Sequence, residues 1–303
     1  MKKIFSVSSE YNDSRFDKWF KKNIYNVPQS FIEKNLRKGK IKINNKKIKS
    51  SHKVKTNDEV ILYDIILKFK SPLKRKEKYK PTKKDLSFSS SMFIENNENF
   101  VVLNKPAGIS VQSGTKSKKN IIDILRKTKE FEGYSPYTVH RIDKETTGIL
   151  IVAKNRKYAQ LFTSLFRIRK IHKTYLGIVV GQLKKNKGTF NDELIYYEND
   201  KKIKTPAITH YTVLDSSNNY SLLKLNPETG KKHQLRKQLL IHGNPILGDK
   251  KYTMLKNLPS KKNNLMLHAY KINFSIANIK YNFSAYPPMT FIKTLKEKYL
   301  KNF

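Results

Sequence analysis

Cysteine is absent from the 303 residues of this chain. Its absence excludes disulfide bonds, thiolate metal ligands and cysteine nucleophiles, and it is typical of a protein that works in a reducing cytoplasm. No stretch approaches the roughly 20 apolar residues that a membrane-spanning helix needs. The apolar run near the start is too short for a signal peptide. We therefore expect a cytoplasmic protein without a membrane partner.

Acidic residues are also scarce. The chain has 24 aspartate and glutamate residues against 63 lysine and arginine residues, which gives a net charge of +39. A chain this basic repels itself unless a polyanion is near, so nucleic acid or an anionic surface is the expected class of partner. The length is sufficient for one large domain or two unequal ones.

Residues 1–66 are predicted to form a small module of two helices and a small sheet. Ser14 is placed to cap a first helix, whose apolar face carries Phe16, Trp19 and Phe20. A second helix follows Pro28 and ends near Gly39. Alternating apolar residues at 41–65 then indicate short strands around an Asn44-Asn45 turn.

This module resembles the S4 RNA-binding domain. The resemblance rests on Ser14-Arg15-Phe16-Asp17 and on the helix-to-strand junction from Leu36 to Asn44. It implies an RNA-binding face, and basic side chains that could follow a phosphate backbone are Arg15, Arg37, Lys38, Lys40 and Lys42. The alternative is a basic face that is merely solvated.

Residues 67–92 show neither a helical nor a strand period and carry many lysines. We interpret them as a basic linker that orders on RNA. The larger domain would then span residues 93–303.

The stretch from His140 to Lys154 is the most informative of the chain. It puts Asp143 in a polar turn just before Ile149–Val152, an apolar run typical of a buried strand. The local pattern allows two interpretations. Asp143 is either a catalytic acid held ionised by Arg141 and a partner elsewhere, or a surface residue in a chance ion pair.

Further elements are predicted around this stretch. Asn155 caps a helix with one apolar face, Lys173–Val180 is a strand, and Thr229 caps a helix that ends at Gly243. Residues 207–214 and 220–225 form an antiparallel pair. Glu145 and Asp249 are expected to cap turns or to be solvated.

The histidine spacing predicts no metal site, because none of the seven histidines forms a close ligand pair. The chain also lacks a phosphate-binding loop, so we expect no nucleotide cofactor.

Three separated motifs make the second domain similar to the RluA-type pseudouridine synthases. His140–Ile149 resembles His-Arg-Leu-Asp-x-x-Thr-Ser-Gly-Leu, Asn104–Gly108 resembles Asn-Lys-Pro-x-Gly, and Thr229–Arg236 resembles Thr-Gly-Arg-x-His-Gln-Ile-Arg. Lys231 replaces the usual arginine, and Lys237-Gln238 replaces the usual Val-His. With its S4-like module the chain resembles the members that act on large-subunit ribosomal RNA, RluC and RluD, and the motif spellings favour RluC.

The resemblance implies an α+β fold with a mixed, largely antiparallel catalytic sheet and an S4-like module. It further implies that Asp143 is catalytic and that Tyr175 packs on the target base and handles a proton. Arg236 is expected to pair with Asp143, and Arg141 to fill the space that the flipped nucleotide leaves. The implied substrate is uridine in 23S ribosomal RNA, with no cofactor and no metal, and we expect a monomer.

Two other classes remain open at this point. A non-catalytic RNA-binding ribosome-assembly factor would explain the charge and the S4-like module. A metal-free ribonuclease could use His140 or His233 with a lysine, but it would leave Asp143 unexplained.

Overall fold

The computed structural model describes residues 2–65, 79–113, 119–198, 201–217, 219–254 and 264–301. The chain divides into two compact units, Met1–Glu77 and Lys78–Phe303. The elements of the first unit are β1 (Lys2–Ser6), β2 (Ser14–Arg15), α1 (Phe16–Asn23), α2 (Gln29–Arg37), β3 (Ile41–Ile43), β4 (Lys53–Val54) and β5 (Glu59–Tyr63). A 3₁₀ turn at Ser9–Tyr11 lies between β1 and β2.

The first unit packs its two helices on a small antiparallel sheet of order β1-β5-β3. Phe16, Trp19 and Phe20 of α1 and Ile32 and Leu36 of α2 are buried in its core, as their helical spacing predicts. The turn that follows β3 contains Asn44 and Asn45 at positive φ, which asparagine tolerates better than most residues.

One prediction for this unit is wrong, and one strand was not predicted. Ser14 does not cap α1, because it pairs with Val54 in a two-residue ladder and Arg15 takes the N-cap position. The strand Lys2–Ser6 was not predicted. It pairs with β5 through its backbone while its side chains are mostly exposed, so it leaves no apolar alternation in the sequence.

The second unit contains the remaining elements. They are α3 (Lys83–Ser90), β6 (Phe93–Asn96), β7 (Phe100–Lys105), α4 (Ile121–Leu125), β8 (Tyr137–Thr138), β9 (Thr147–Ala153), α5 (Arg156–Arg167), β10 (His172–Val180), β11 (Lys187–Glu198), β12 (Lys201–Ser217), β13 (Tyr220–Pro227), α6 (Gln234–Ile241), β14 (Leu267–Ile276), β15 (Ile279–Ser284) and α7 (Met289–Glu297). A 3₁₀ turn at Lys129–Phe131 follows α4.

The strands of this unit form one sheet of order β11-β12-β13-β10-β14-β9-β7-β6, with β15 on β14 and β8 on β9. The pairings are antiparallel except that between β9 and β14, which is parallel. The predicted α+β class and the largely antiparallel sheet are therefore confirmed.

Part of the predicted linker 67–92 is a helix. Residues 66–78 lie outside the described part of the chain, but α3 falls within the remainder. Thr82 and Asp85 form a reciprocal capping box at its start, and the buried Asp85 also accepts hydrogen bonds from the Tyr79 hydroxyl at 2.6 Å and pairs with Lys119. This helix is specified by polar capping rather than by apolar periodicity, which is why its sequence pattern does not predict it.

Two apolar cores lie within the second unit. The first is built around β7, β9 and α5, where Asn155 caps α5 by accepting from the Tyr158 N–H at 2.9 Å, as predicted. The second is built around β10, β13, α6 and α7. Strand β11 was not predicted, because polar and charged residues interrupt its alternation.

The two cores meet where β9 runs beside β14. Gly148 has a φ of +103°, and a Cβ atom there would lie 2.2 Å from the carbonyl oxygen of Ala269. Only glycine fits this approach. Next to it, Thr147 Oγ1 lies 2.8 Å from Nδ1 of the buried His268, whose Nε2 donates to Ala285 O. The turn that carries Asp143 therefore leads directly into a rigid contact between β9 and β14. Among the described helices, none is both long and apolar enough to cross a bilayer.

Candidate active site

A cavity of about 500 Å³ opens between the turn before β9, strand β10 and the start of α6. The four catalytic-domain residues that the sequence singles out, Arg141, Asp143, Tyr175 and Arg236, all line it. Positions 141 and 143 precede β9, position 175 lies in β10 and position 236 lies in α6. Residues far apart in the chain thus converge on one concave surface.

Asp143 contacts two nitrogen donors through different oxygens. Its Oδ2 accepts a hydrogen bond from Arg236 Nη1 at 3.0 Å, and its Oδ1 lies 3.6 Å from His233 Nε2. The Asp143 side chain remains 23% exposed, towards the cavity. The contact with Arg236 is the one that the sequence predicts, and it leaves Oδ1 as the less occupied oxygen.

Arg236 is held from behind by a second carboxylate, Asp249. The guanidinium donates from Nε to Asp249 Oδ2 at 2.6 Å and from Nη2 to Oδ1 at 2.8 Å. Asp249 also accepts from the backbone N–H groups of Lys251 and Tyr252, both at 2.9 Å. This bidentate ion pair uses Nε and Nη2 of the guanidinium and leaves Nη1 to donate to Asp143. The sequence predicts the turn contacts of Asp249 but not its ion pair.

The charges of this triad reinforce one another. Burial lowers the pKa of Arg236, but its hydrogen bonds to Asp249 and Asp143 raise that pKa by more. For Asp249, burial raises the pKa, and the hydrogen bond from Arg236 together with the two backbone donors brings it below its usual range. Both groups therefore stay charged at neutral pH.

His233 lies at the start of α6 in an unusual backbone conformation. Its φ of +54° is in the left-handed region, and α6 begins only at Gln234, so the predicted cap at Thr229 is wrong. Thr229 Oγ1 instead accepts from the Ile208 N–H and donates to the Gln234 side chain. The left-handed turn directs the His233 ring towards Asp143, while its Nδ1 lies 2.8 Å from the Tyr252 hydroxyl.

Tyr175 lies at a bulge in β10, where the pairing with β14 shifts between Thr174 and Tyr175. Its ring packs against both cores and lines the cavity. Burial, with a smaller effect from the Asp143 charge, raises the pKa of the phenol above its usual value, so it keeps its proton. A fixed aromatic ring beside a carboxylate is suited to stacking on a planar base.

The mouth of the cavity is cationic. The exposed Arg141 is joined there by basic residues that also line the cavity, namely Arg167, Arg169, Lys173 and Lys231. Burial, and then the neighbouring Arg169, lowers the pKa of Lys173. Such a rim attracts a phosphate backbone to the opening.

His140 is unsuited to acid–base chemistry in this site. Its Nε2 accepts the Ile151 N–H at 2.8 Å, and its ring stacks on Phe166 at 4.6 Å. Burial, with Lys173 nearby, lowers its pKa to about 3. The ring is neutral with its lone pair occupied, as expected of a structural histidine.

Lys105 supports the turn that carries Asp143, a role that the sequence pattern does not predict. Its Nζ is fully buried and donates to three backbone carbonyls, those of Pro106 at 2.7 Å and of Ile109 and Lys144 at 3.1 Å. Burial lowers its pKa to about 7, partly offset by the charges of Glu145 and Asp143. The sequence signal for Lys105 is the Asn-Lys-Pro-x-Gly motif. Its lysine connects this motif to the turn that carries Asp143 by donating to the Lys144 carbonyl.

In the described ranges, no group of three histidine, aspartate or glutamate side chains is placed to hold a metal ion.

The basic residues predicted to contact RNA in the first unit are exposed or half-buried there. The Arg15 guanidinium donates to both oxygens of Asp17, at 3.1 and 2.6 Å. Lys42 Nζ lies 5.5 Å from the Tyr63 ring centre.

The fold and the sequence both match known pseudouridine synthases. The model of the RNA pseudouridylate synthase family matches residues 99–240, which include Asp143, Tyr175 and Arg236. The human protein "RNA Pseudouridylate Synthase Domain Containing 4" is similar in structure, with a TM-score of 0.63 and 26% identity over 72% of this chain and 96% of that one. The chain belongs to the RluA-type family and is an RNA pseudouridine synthase.

Its curated relatives carry a more particular name. The "Ribosomal large subunit pseudouridine synthase C" of Rickettsia felis is 34% identical over 86% of this chain and 88% of its own length. The protein of that name from Buchnera aphidicola subsp. Schizaphis graminum is 30% identical over 89% of this chain and 88% of its own length.

Proposed function

We propose that this protein converts uridine to pseudouridine in the 23S RNA of the large ribosomal subunit, with Asp143 as the catalytic residue and without a cofactor. The names of its relatives support the substrate, and the net charge of +39 suits a polyanion. The observation that carries the mechanism is Asp143, held by Arg236 at 3.0 Å inside a cavity lined by Tyr175.

The reaction explains why these residues suffice. The bond from N1 to C1′ of uridine breaks, a bond from C5 to C1′ forms, a proton leaves C5 and a proton is taken up at N1. Nothing is oxidised or reduced, so the chemistry needs no electron carrier. It needs an ionised carboxylate that attacks the sugar or the base, or that assists cleavage of the glycosidic bond.

The geometry supports one oxygen of Asp143 as the reacting atom. Oδ2 accepts a hydrogen bond from Arg236, whereas among the residues that the structure describes Oδ1 has only the more distant His233 Nε2 at 3.6 Å. We assign Oδ1 to the chemistry and Oδ2 to holding the charge. The fixed guanidinium stabilises the carboxylate without a rearrangement during the reaction.

Tyr175 and Arg141 complete the proposal. The target base must leave its stack to reach Asp143, and Tyr175 would stack on the extruded uracil. Arg141, exposed at the cavity mouth, would occupy the space left in the RNA. The protonated phenol of Tyr175 can hydrogen-bond to the base, and it would act as a base only after losing its proton.

We further propose that the first unit is an S4-like RNA-binding module, corresponding to the predicted domain 1–66, and that Arg15, Arg37, Lys38, Lys40 and Lys42 contact RNA phosphates. Arg37, Lys38, Lys40 and Lys42 lie on or beside α2 and β3, which supports a common basic face, and Arg15 lies at the start of α1. The enzyme would act as a monomer in the cytoplasm.

One assay tests the function. Large-subunit ribosomal RNA labelled with tritium at C5 of uridine is incubated with the protein, and released tritium and RNA length are measured. We expect tritium release without strand cleavage. Cleavage would indicate a ribonuclease, and intact RNA with no release would indicate a non-catalytic assembly factor.

A further inference from the structure

Strands β11 and β12 form a long antiparallel hairpin whose pairing extends from Lys187 opposite Thr212 to Glu198 opposite Lys201. Near its far end, Tyr197 is 77% exposed and Ile195 is 40% exposed. Because alternate side chains of a strand share a face, these two lie on one side of β11. We call the face formed by Ile195, Tyr197 and the lysines opposite them the hairpin platform.

The platform is both apolar and cationic. Lys202 pairs with Tyr197 across the ladder, and Lys204 pairs with Ile195, so both lysines flank the exposed ring on the same face. Lys204 also lies 3.3 Å from Glu193, a pair that is exposed to solvent and therefore weak. An exposed tyrosine flanked by lysines offers a ring for a base and charges for its phosphates.

The opposite side of the hairpin is fixed to the helix that carries Arg236. The Tyr196 hydroxyl donates to the Lys232 carbonyl at 2.9 Å. Lys237 Nζ donates to Ile195 O at 2.9 Å and lies 3.8 Å from the centre of the Tyr196 ring. The hairpin is therefore held against the start of α6, whose residues also contact Asp143.

Gln238 strengthens this attachment from within. It is fully buried, and its Nε2 donates to Ala207 O at 2.9 Å and to Asp192 Oδ2 at 2.8 Å, while its Oε1 accepts from the Thr209 hydroxyl at 2.7 Å. Lys237 and Gln238 are the two positions where this sequence departs from the Val-His of the family signature. Two side chains at which this sequence departs from the signature therefore help to hold the hairpin.

We propose that the hairpin platform binds an unpaired base of the RNA substrate beside the target uridine, with the base stacked on Tyr197 and its phosphates near Lys202 and Lys204. This rests on the proposed function, since the RNA is the one whose uridine enters the cavity. The charges select a polyanion, and the open ring selects a single-stranded segment, because bases inside a duplex have no free face.

Direct binding of a large-subunit RNA fragment, followed by fluorescence anisotropy, tests the platform. Tyr197→Ala should raise Kd by about tenfold, because stacking on one aromatic side chain has an effect of this size. Tyr197→Phe should stay within about twofold, since the ring and not the hydroxyl is needed. Tyr299→Ala is the matched control, because Tyr299 is 89% exposed but lies after α7.

Three results would overturn the platform. They are an unchanged Kd in Tyr197→Ala, an equal loss in Tyr197→Phe, and a change in oligomeric state by light scattering without a change in Kd. The last result would mean that a second copy of the chain covers the face.

The attachment to α6 provides a second readout. Lys237→Val should raise Kd, and Tyr197→Ala should add less in that background than in the wild type, because the released hairpin no longer presents the ring near the cavity. Additive effects would contradict this coupling. Binding does not require turnover, so an inactive wild type whose Kd still depends on Tyr197 would refute the proposed function and leave the platform standing.

Discussion

Arg236 faces two carboxylates in very different surroundings. Asp249 is completely buried, takes two N–H groups of the guanidinium and two backbone donors, and has no oxygen left over. Asp143 takes one N–H group and opens onto the cavity. The same arginine is therefore anchored by Asp249 on one side and holds the proposed catalytic carboxylate, Asp143, on the other. The residues behind it should govern stability, and those in front should govern turnover.

The strongest test is Asp143→Asn. We expect turnover to fall by about a thousandfold or more, because the amide is neither a nucleophile nor a charged group. RNA affinity and the free energy of unfolding should change little, since the side chain is on the open side. Tritium release, anisotropy and urea denaturation measure the three quantities. Turnover near that of the wild type would remove Asp143 from the mechanism.

Asp249→Asn should show the reverse pattern. The buried Arg236 would lose its main counter-charge, and we expect a loss of about 3 kcal/mol in the free energy of unfolding, measured in urea. Asp13→Asn is the control, because Asp13 pairs with Lys53 on the surface of the first unit and should have little effect. Equal stability of the two variants would show that Asp249 is not the anchor.

The buried His268, which contacts Thr147 at the start of β9, should make the stability of the protein sensitive to acid. Burial lowers the pKa of His268 from 6.5 to about 4, so between these values the unfolded chain binds a proton that the folded chain excludes. Stability from this group is present above pH 6.5 and is lost as the pH falls towards 4. The loss between pH 7 and pH 5 should be about 2 kcal/mol.

Urea denaturation of the wild type and of His268→Gln at both pH values measures this effect. The variant should lose less stability between the two values, because its amide does not titrate. Parallel curves would show that His268 does not contribute to the acid dependence.

On the open side, Tyr175 should matter through its ring. Tyr175→Ala is expected to weaken RNA binding by about tenfold, whereas Tyr175→Phe keeps the stacking surface and should retain affinity. Competition binding with the catalytically inert Asp143→Asn as background separates affinity from turnover. If the phenylalanine and alanine variants lose affinity equally, stacking is not the role of Tyr175.

Arg141→Ala should have the smallest effect, and one that depends on the substrate. An arginine that fills the gap left by a flipped nucleotide is needed only where a stack exists. We expect a loss of a few-fold, on the order of 1 kcal/mol, on folded RNA, and a smaller loss on a short unstructured strand. Equal losses on both substrates, measured as kcat/KM, would refute this role.

The sequence predicts the open side of the site better than the anchored side. Asp143 lies in a polar turn before an apolar strand, and Arg236 lies in a recognisable motif, so both carry local signals. Asp249 lies in a loop 13 residues from Arg236, and no local sequence pattern indicates that the two side chains form a buried ion pair. The His233 conformation was missed for the same reason, because a left-handed histidine depends on tertiary contacts such as that with Tyr252.

Secondary structure follows the same division. Helices with one apolar face, such as α1 and α5, were predicted because burial leaves a periodic pattern, and the fully buried strand β9 was predicted from its continuous apolar run. Strand β1, strand β11 and helix α3 were missed because backbone pairing or polar capping specifies them.

The close backbone contact at Gly148 affects the geometry of the proposed reaction centre. Asp143 follows Ile142 of the first core and Arg236 follows Leu235 of the second, so the contact between β9 and β14 is one of those that fix the distance between the acid and its arginine. A single methyl group at position 148 would act as a wedge between the two halves of the domain. Such a variant could keep every reactive side chain and still lose the distance on which they depend.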